Sequence, residues 1–242
     1  MWLGKKVSVV IPAYNEEETI RYIVEEFFKQ PWVDEVVVVN NNSSDNTEAE
    51  IRKTRAKLVL EKERGYGSAL RRGLKEASGD LIVLCEADGN FYPKDIIKLL
   101  AYADDFDFVK GTRTRRELFQ EGVMPPFMAL FIIWGNIAVA KMQQFLFRGP
   151  SLTDAGCTMR LIKKEALKKI QPYFSVTAGH FLAEMTNLAM IKKIKTIEVP
   201  VNFAKRLGGY SKSGNFWGVF KIGMAMIFLT IKHRFLAWFG KI

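Results

Sequence analysis

Hydrophobic positions along this 242-residue chain follow two alternating periods. Short apolar runs rich in β-branched residues occur at Val7–Ile11, Val36–Val39, Leu58–Leu60, Leu81–Cys85 and Phe106–Val109, bounded by polar or glycine-bearing turns, and they read as strands. Between them apolar residues return every three or four positions. Ile20, Ile23, Val24, Phe27 and Phe28 form one such set, Leu70, Leu74 and Ala77 a second, and the stretch from Ile96 to Tyr102 a third. These read as helices. Asn15 stands where a cap would open the first helix, with Glu16, Glu17 and Glu18 in a turn the helix dipole favours. The four valines of strand two suit a sheet covered on both faces. Strands alternating with helices through short connections predict an α/β fold with a doubly wound, mostly parallel, right-handed sheet. Further helices are predicted at Ala166–Ile170 and Phe181–Ile191, a polar loop at Asp154–Arg160, and an edge strand at Ile194–Val201, ended by Pro200.

Two stretches break this texture. Residues 122–140 carry no charge, and their length is borderline for a membrane span. Pro125, Pro126, Gly135 and Asn136 favour instead a helix lying in the membrane interface or packed on the core. After Glu198 there is no Asp or Glu, while Lys205, Arg206, Lys212, Lys221, Lys232, Arg234 and Lys241 interleave with Phe216, Trp217, Phe220, Phe228, Phe235, Trp238 and Phe239. Net charge is +10. Basic and aromatic together suit nucleic acid or an anionic membrane, and the long apolar runs argue for membrane, because nucleic-acid faces rarely need them; no nucleic-acid partner is expected. The ten residues between Lys221 and Lys232 fall short of the about 20 a span requires. The expectation is a domain over 1–212 followed by basic amphipathic helices over 213–242 that lie on the bilayer. Cys85 and Cys157 read as buried free thiols, and Met1–Lys6 lead straight into a strand, so the expected location is cytoplasmic, without a signal peptide, peripheral on the cytoplasmic face of the membrane.

Candidate chemistry centres on Asp80–Pro93. Glu86, Asp88 and Asn90 leave the end of strand four in alternation, where open α/β sheets bind ligands. Such oxygen donors can share one hard cation, Mg²⁺ or Mn²⁺, which also binds phosphates. They can equally form a solvated acidic turn before a helix opened by Pro93.

The ordered motifs Val9-Val-Ile-Pro-Ala-Tyr-Asn-Glu-Glu, Val38-Val-Asn-Asn-Asn-Ser-Ser-Asp-Asn-Thr, Gly65-Tyr-Gly, Ala77-Ser-Gly-Asp and Glu86-Ala-Asp88 closely resemble the family 2 glycosyltransferases, over roughly residues 5–212. Gly111-Thr-Arg113, the Asp154-to-Arg160 spacing and Arg206-x-x-Gly209-x-Ser211-Lys212 are similar to polyprenyl-phosphate sugar synthases of the dolichol-phosphate mannose synthase type. The resemblance implies the Rossmann-like glycosyltransferase A fold, with a mixed, mostly parallel sheet flanked by helices. It also implies a GDP- or UDP-linked sugar donor, a polyprenyl (dolichyl) phosphate acceptor and inversion at C1. By the same resemblance Pro12, Tyr14, Glu16, Asn40, Gly65, Gly67, Glu86, Ala87 and Asp88 line the nucleotide site. Glu86, Asp88 and Asn90 bind metal, Arg206 and Lys212 hold the diphosphate, Arg113 and Arg160 meet the acceptor phosphate, and Asp154 joins the catalytic set. Asn40 replaces the family's usual carboxylate, and Glu86 the first aspartate of its Asp-x-Asp motif. A dinucleotide loop at Gly65-Tyr-Gly67 is rejected because Leu70 stands at the third glycine.

Other positions stay open. Asp154 reads as a cap, a loop acid or a functional group, Glu184 as a core-edge acid or an acceptor-site group, and Arg115 and Arg116 as a solvated face or phosphate ligands. His180 reads as structural. A lipid phosphate is already ionised near neutral pH, its second pKa being about 6, so it needs arginines rather than a base. Transfer to a saccharide hydroxyl would need one, with Asp154 or Glu184 the candidates. A basic membrane-binding module without activity is the alternative from another class.

Overall fold

A computed structural model describes residues 1–113, 126–208 and 216–242. The strands are β1 (Val7–Ala13), β2 (Glu35–Asn40), β3 (Lys57–Leu60), β4 (Leu81–Leu84), β5 (Phe108–Arg113), β6 (Arg160–Lys163) and β7 (Thr196–Val201). The helices are α1 (Ile20–Phe28), α2 (Thr47–Arg52), α3 (Tyr66–Glu76), α4 (Ile96–Tyr102), α5 (Pro126–Phe147), α6 (Lys164–Ile170), α7 (Phe181–Ile191) and α8 (Phe216–Trp238).

The described strands form one sheet in the order β3-β2-β1-β4-β6-β5-β7. All pairings are parallel except those of β6, which runs antiparallel to both β4 and β5. The mixed, mostly parallel sheet is therefore as expected, but β6 replaces part of the polar loop expected up to Arg160. Only Leu161 and Ile162 mark it as apolar, too short a signal to separate from its surroundings. Strand five begins and ends later than its apolar run, so that Gly111, Thr112 and Arg113 extend it by pairing with β7. Pro200 lies inside β7, which its edge position permits. Asn15 does not cap α1. It adopts a left-handed backbone, and its side-chain oxygen accepts from the Ser44 amide at 2.8 Å.

Strand residues alternate between two cores. Val7, Val9 and Ile11 face α1 and α4 through Ile20, Phe27, Ile96 and Leu99. Val10, Val37 and Val39 face α3, α6 and α7 through Leu70, Leu74, Leu167 and Leu188. Each large side chain so buried contributes about 1.5–3 kcal/mol.

A third layer lies beyond α7. Helices α5 and α8 pack on it and on each other through Val139, Ala140, Ala183, Met190 and Met226. Buried polar contacts fix their register. The Gln143 amide donates to Asn187 Oδ1 at 2.8 Å, and the Asn187 amide donates to Thr230 Oγ1 at 3.2 Å. Such pairs are costly to break in an apolar interior, so they hold two otherwise featureless apolar surfaces in one alignment. The C-terminal segment is a single 23-residue helix, and it is apolar on two opposite sides rather than amphipathic. Met226, Leu229 and His233 face inward, while Trp217, Phe220, Met224, Phe228, Ile231, Phe235 and Trp238 form an exposed stripe at three- and four-residue spacing. Helix α5 is long and apolar enough to cross a bilayer by length and composition.

Gly65 shows how the loops are held. Its φ is +147°, and a Cβ there would lie 2.2 Å from the Thr177 carbonyl oxygen. Gly65→Ala is expected to cost about 2 kcal/mol or more in urea unfolding, because strain and clash add. Gly4→Ala serves as the comparison, since Gly4 (φ +78°) has no neighbour within 4 Å and carries the strain alone. Equal losses in the two variants would contradict the close approach.

Candidate active site

The site sits at the carboxyl ends of the adjacent strands β2, β1 and β4, where the loops leaving them are stitched together. The Asn15 amide donates to Ser43 Oγ (3.0 Å) and the Glu16 amide to Thr47 Oγ1 (2.8 Å), joining the turn after β1 to the loop after β2. Asn40 is buried, and its Oδ1 accepts from the Ser43 amide at 3.1 Å. Its neighbour Asn41 donates to the carbonyls of Glu61 and Glu63 and accepts from the Gly65 amide at 2.8 Å. This brings Gly65 and Gly67 to the same rim. Pro12 stands opposite Val39, one residue before the end of the β1 ladder, and Tyr14 projects with its ring part-exposed.

A second seam brings in the chain after β7. The Ala204 amide donates to the Asn90 carbonyl and the Leu207 amide to the Asp88 carbonyl, both at 2.8 Å. The Phe91 and Phe203 rings meet edge to face at 5.2 Å. Gly89, at φ +77°, turns beneath Leu207, whose side chain would meet a Cβ at 2.6 Å. The seam places Arg206 between two acids. Its guanidinium bonds Glu16 and reaches Asp88 Oδ2 at 3.3 Å. All three side chains are largely withdrawn from solvent. Even so, burial and then the Glu86 charge push the Asp88 carboxyl up to about 7.

Glu86 is held in turn. Its Oε1 accepts from Thr158 Oγ1 at 2.7 Å, and the Tyr66 hydroxyl, 2.8 Å from Thr158 Oγ1 and 3.3 Å from the same carboxylate oxygen, can donate to either. Burial, then the Glu86 charge, raises the Tyr66 phenol well above its ordinary value, so it stays a neutral donor. Ala87 is buried between the two acids. Asn90 donates its side-chain amide to the Ala204 carbonyl (2.9 Å) and its backbone amide to Asp88 Oδ1 (3.1 Å), serving as a brace in this arrangement.

Arg113 and Asp154 form a buried fork, Nε to Oδ2 and Nη2 to Oδ1, each 2.8 Å, with the Arg113 backbone amide adding a third bond at 3.1 Å. Burial alone would raise the Asp154 carboxyl, but the Arg113 charge and its bonds outweigh it and hold the group below the ordinary carboxylate range. Glu86 also acts electrostatically on Arg113, so this pair adjoins the acid centre. The turn carrying Asp154 is fixed from below. Glu198 accepts from the amides of Thr153 (2.7 Å) and Asp154 (3.1 Å), and the fully buried Lys110 donates to the Asp154 carbonyl at 3.2 Å. Burial, then the Arg160 charge, lowers the Lys110 amine to about 8.

Several expected site residues do not meet here. Arg160 is fully buried on β6 and donates to the carbonyls of Leu182 (2.9 Å) and Cys157, so it fills the interior instead of presenting itself to an acceptor phosphate. Glu184 is fully buried, with carboxylate oxygens that accept from Ser175 and Val176 amides and the Ser175 hydroxyl. It clamps the loop against which Gly65 and Gly67 rest and is no candidate base. Asp154 is held in the wrong direction for a base at neutral pH. Lys212, Ser211, Gly209, Arg115 and Arg116 lie outside the described residues. Cys85 and Cys157 are buried free thiols, as expected. Sequence reading missed Tyr66, Thr158, Asn41, Lys110 and Glu198. Of these, Tyr66 and Asn41 lie inside quoted motifs, and their side-chain chemistry was the available signal.

The donor set fits a hard divalent cation. Two carboxylates, Glu86 and Asp88, share a water-poor corner where burial and the Glu86 charge outweigh Arg206 and drive Asp88 toward its neutral form. Their oxygens are the ligand type Mg²⁺ and Mn²⁺ select. Among the described residues no three His, Cys, Asp or Glu gather as a complete cage. Two protein ligands are what such ions take when substrate phosphates complete the shell.

The acids and the arginine gather at the carboxyl ends of the central strands, where open α/β sheets bind their ligands. The sequence model of Glycosyl transferase family 2 matches residues 8–171, and the chain belongs to that family. It is a glycosyltransferase of the glycosyltransferase A fold. Among its relatives is a human dolichyl-phosphate beta-glucosyltransferase, 27% identical over 97% of this chain and 78% of that protein. The dolichol-phosphate mannosyltransferase of Pyrococcus furiosus is 30% identical over 98% of this chain, which spans 65% of that protein's length. An undecaprenyl-phosphate 4-deoxy-4-formamido-L-arabinose transferase of Proteus mirabilis is 28% identical over 86% of this chain and 62% of its own length. Glucosyl-3-phosphoglycerate synthase from Mycobacterium tuberculosis, solved with Mn²⁺, UDP and phosphoglyceric acid, superposes with a TM-score of 0.72 at 19% identity. The match covers 96% of this chain and 79% of that one, and it establishes the shared fold.

Proposed function

We propose that the protein moves a hexose from a GDP- or UDP-linked sugar to a polyprenyl phosphate at a membrane surface, with inversion at C1 and with Mg²⁺ or Mn²⁺. The observation that carries this is the contact of Arg206 with Asp88 and Glu16 at the ends of β4 and β1. The names of the three relatives support the acceptor class.

Pro12, Tyr14, Glu16 and Asn40 lie where the nucleoside would sit, with Gly65 and Gly67 giving the backbone close approach. Arg206, with Lys212, would hold the diphosphate and stabilise the charge that grows on it as the C1–O bond breaks. A divalent cation bound by Asp88 and Glu86 would neutralise part of the same charge. The acceptor phosphate arrives ionised, so Arg113 would orient it and no base is required. Both candidate bases for a hydroxyl acceptor, Asp154 and Glu184, are saturated by structural partners, which favours the phosphate.

Membrane association rests on α5 and α8. Phe127 (64%) and Trp134 (60%) on α5, and Trp217 (67%), Phe228 (72%) and Trp238 (74%) on α8, are exposed aromatics on neighbouring helices without a single acid. Such surfaces lie in the headgroup plane. We place the protein on the cytoplasmic face, where anionic lipid attracts its basic tail and free thiols persist. Replacing Trp217, Phe228 and Trp238 by Ser is expected to reduce flotation with liposomes by at least about tenfold at unchanged Tm, since these side chains support no core. Truncation at 213 would be a poorer test, because α8 also covers α7 through Met226 and Leu229. Flotation equal to wild type in the triple variant would remove α8 as an anchor.

The donor side is tested at Arg206. A panel of nucleotide sugars is screened by thermal shift with Mn²⁺, and Arg206→Ala is expected to weaken the responding donor by about 10–100-fold. Normal donor affinity and normal kinetics in that variant would end the assignment.

A further inference from the structure

Helices α5 and α8 run side by side in the same direction. Phe131 meets Phe216 at 4.8 Å near their starts, and their far ends meet around a cleft of about 740 Å³. Three cations line that cleft: Lys141 and Arg148 from the end of α5, and Arg234 from α8. The Lys141 amine contacts only neutral oxygens in the described structure, Gln144 Oε1 and Ser151 Oγ, each at 3.0 Å. Neither helix carries an acid. One aromatic side chain, Phe145, lines the cleft with the cations. Phe145 is 83% exposed, and Phe235, Trp238 and Phe239 on the adjoining turns are exposed as well.

Arg148 occupies a position that favours glycine. The Gly149 amide donates to the Gln144 carbonyl at 3.1 Å, closing a helix-ending motif whose penultimate residue must take a left-handed backbone. That residue is Arg148, at φ +52°. A bulky cation is thus kept where backbone energetics prefer no side chain at all.

We propose that this cleft binds the headgroup of an anionic glycerophospholipid, at a site separate from the reaction centre, and so sets the enzyme's orientation on the bilayer. The inference rests on the membrane reading of α5 and α8 given above. The three cations are more than enough to hold the single negative charge of a phosphodiester, and Phe145, with the exposed aromatics on the turns beside Arg234, supplies contact with the glycerol and first acyl carbons. A soluble anion would have no use for those aromatics. The separation follows from α5 itself. Asn136 borders Gly156, next to Arg113, and Arg148 lies roughly 18 Å further along the helix axis.

The test uses the full chain and two vesicle compositions, phosphatidylcholine alone and phosphatidylcholine with phosphatidylglycerol. Wild-type protein is expected to partition more strongly onto the anionic vesicles. Arg148→Gly with Arg234→Gln is expected to lower that partitioning by about 30-fold, from about 1 kcal/mol per cation at an anionic surface. Binding to neutral vesicles and donor hydrolysis in detergent should not change. Lys168→Gln with Lys169→Gln, which removes equal charge from α6, should lose less than about threefold. Arg148→Gly alone should keep or raise Tm while losing lipid preference, an outcome that a mere helix-capping role does not give. Equal losses in the α6 control, or an unchanged lipid preference in the cleft variant, would overturn the cleft. Inorganic phosphate that stabilises wild type, but not the cleft variant, as much as anionic vesicles do would overturn the lipid headgroup as the occupant. Wild type that binds neither vesicle would overturn the membrane reading itself, with the donor-side assignment left standing.

Discussion

Asp88→Ala is expected to lower transferase turnover by about 10³-fold or more while leaving the fold intact. The carboxylate sits at the end of β4, beside Arg206 and Glu86, where it would hold a cation against the leaving diphosphate. Its removal should not unfold the protein, because its own charge is unfavourable there. Burial and Glu86 have already pushed its carboxyl up to about 7. Arg206 keeps Glu16 as a partner, and the backbone seam through the Asp88 carbonyl survives the substitution. Turnover with saturating Mn²⁺ and a thermal melt check both halves. Wild-type turnover in the variant would remove Asp88 from the metal site. Glu86→Ala is expected to be costly too, though less so. It also frees Tyr66 and Thr158, which hold Glu86 in place.

The largest expected stability loss is at Asp154. Asp154→Ala leaves the Arg113 guanidinium buried against the Phe203 ring with its fork of bonds gone. Breaking a buried pair from one side costs about 3–5 kcal/mol. For a domain of this size that lowers Tm by roughly 10 °C. The double variant Arg113→Met with Asp154→Leu is expected to recover much of the loss, since no charge is then stranded. Acid should imitate the single variant. Asp154 titrates below its unfolded value of about 3.9, so its contribution is complete above that pH and is lost as pH falls through the lower, folded value. A melt unchanged in Asp154→Ala would contradict the pairing.

Most of the sheet was legible in the sequence because its central strands are buried on both faces, which leaves uninterrupted apolar runs such as Val36–Val39. Strand β6 was not, since Arg160 and Lys163 frame only two apolar residues and its pairing is non-local. The acids at the β4 end were legible from alternation alone. Their partner Arg206 is 118 residues from Asp88, and only the family resemblance joined them before the fold did. Arg160 and Glu184 illustrate the opposite failure. Charged residues are usually exposed, so each invited a functional reading, yet each is buried, Arg160 against the carbonyls of Leu182 on α7 and of Cys157, and Glu184 against the amides of Ser175 and Val176. Residue type gave no sign of that burial. Helix α8 misled in another way. Its cations break the apolar run in sequence, but in three dimensions they leave one apolar side against α7 and another exposed.

The most direct test supplies the full-length protein in detergent with Mn²⁺, labelled GDP- and UDP-hexoses, and two acceptors side by side: a polyprenyl phosphate and a free oligosaccharide. The expected product is a lipid-extractable sugar phosphate of inverted anomeric configuration. It should form only with the lipid acceptor and be lost when EDTA removes the metal. Label appearing in the oligosaccharide while the polyprenyl phosphate stays unmodified would contradict the account.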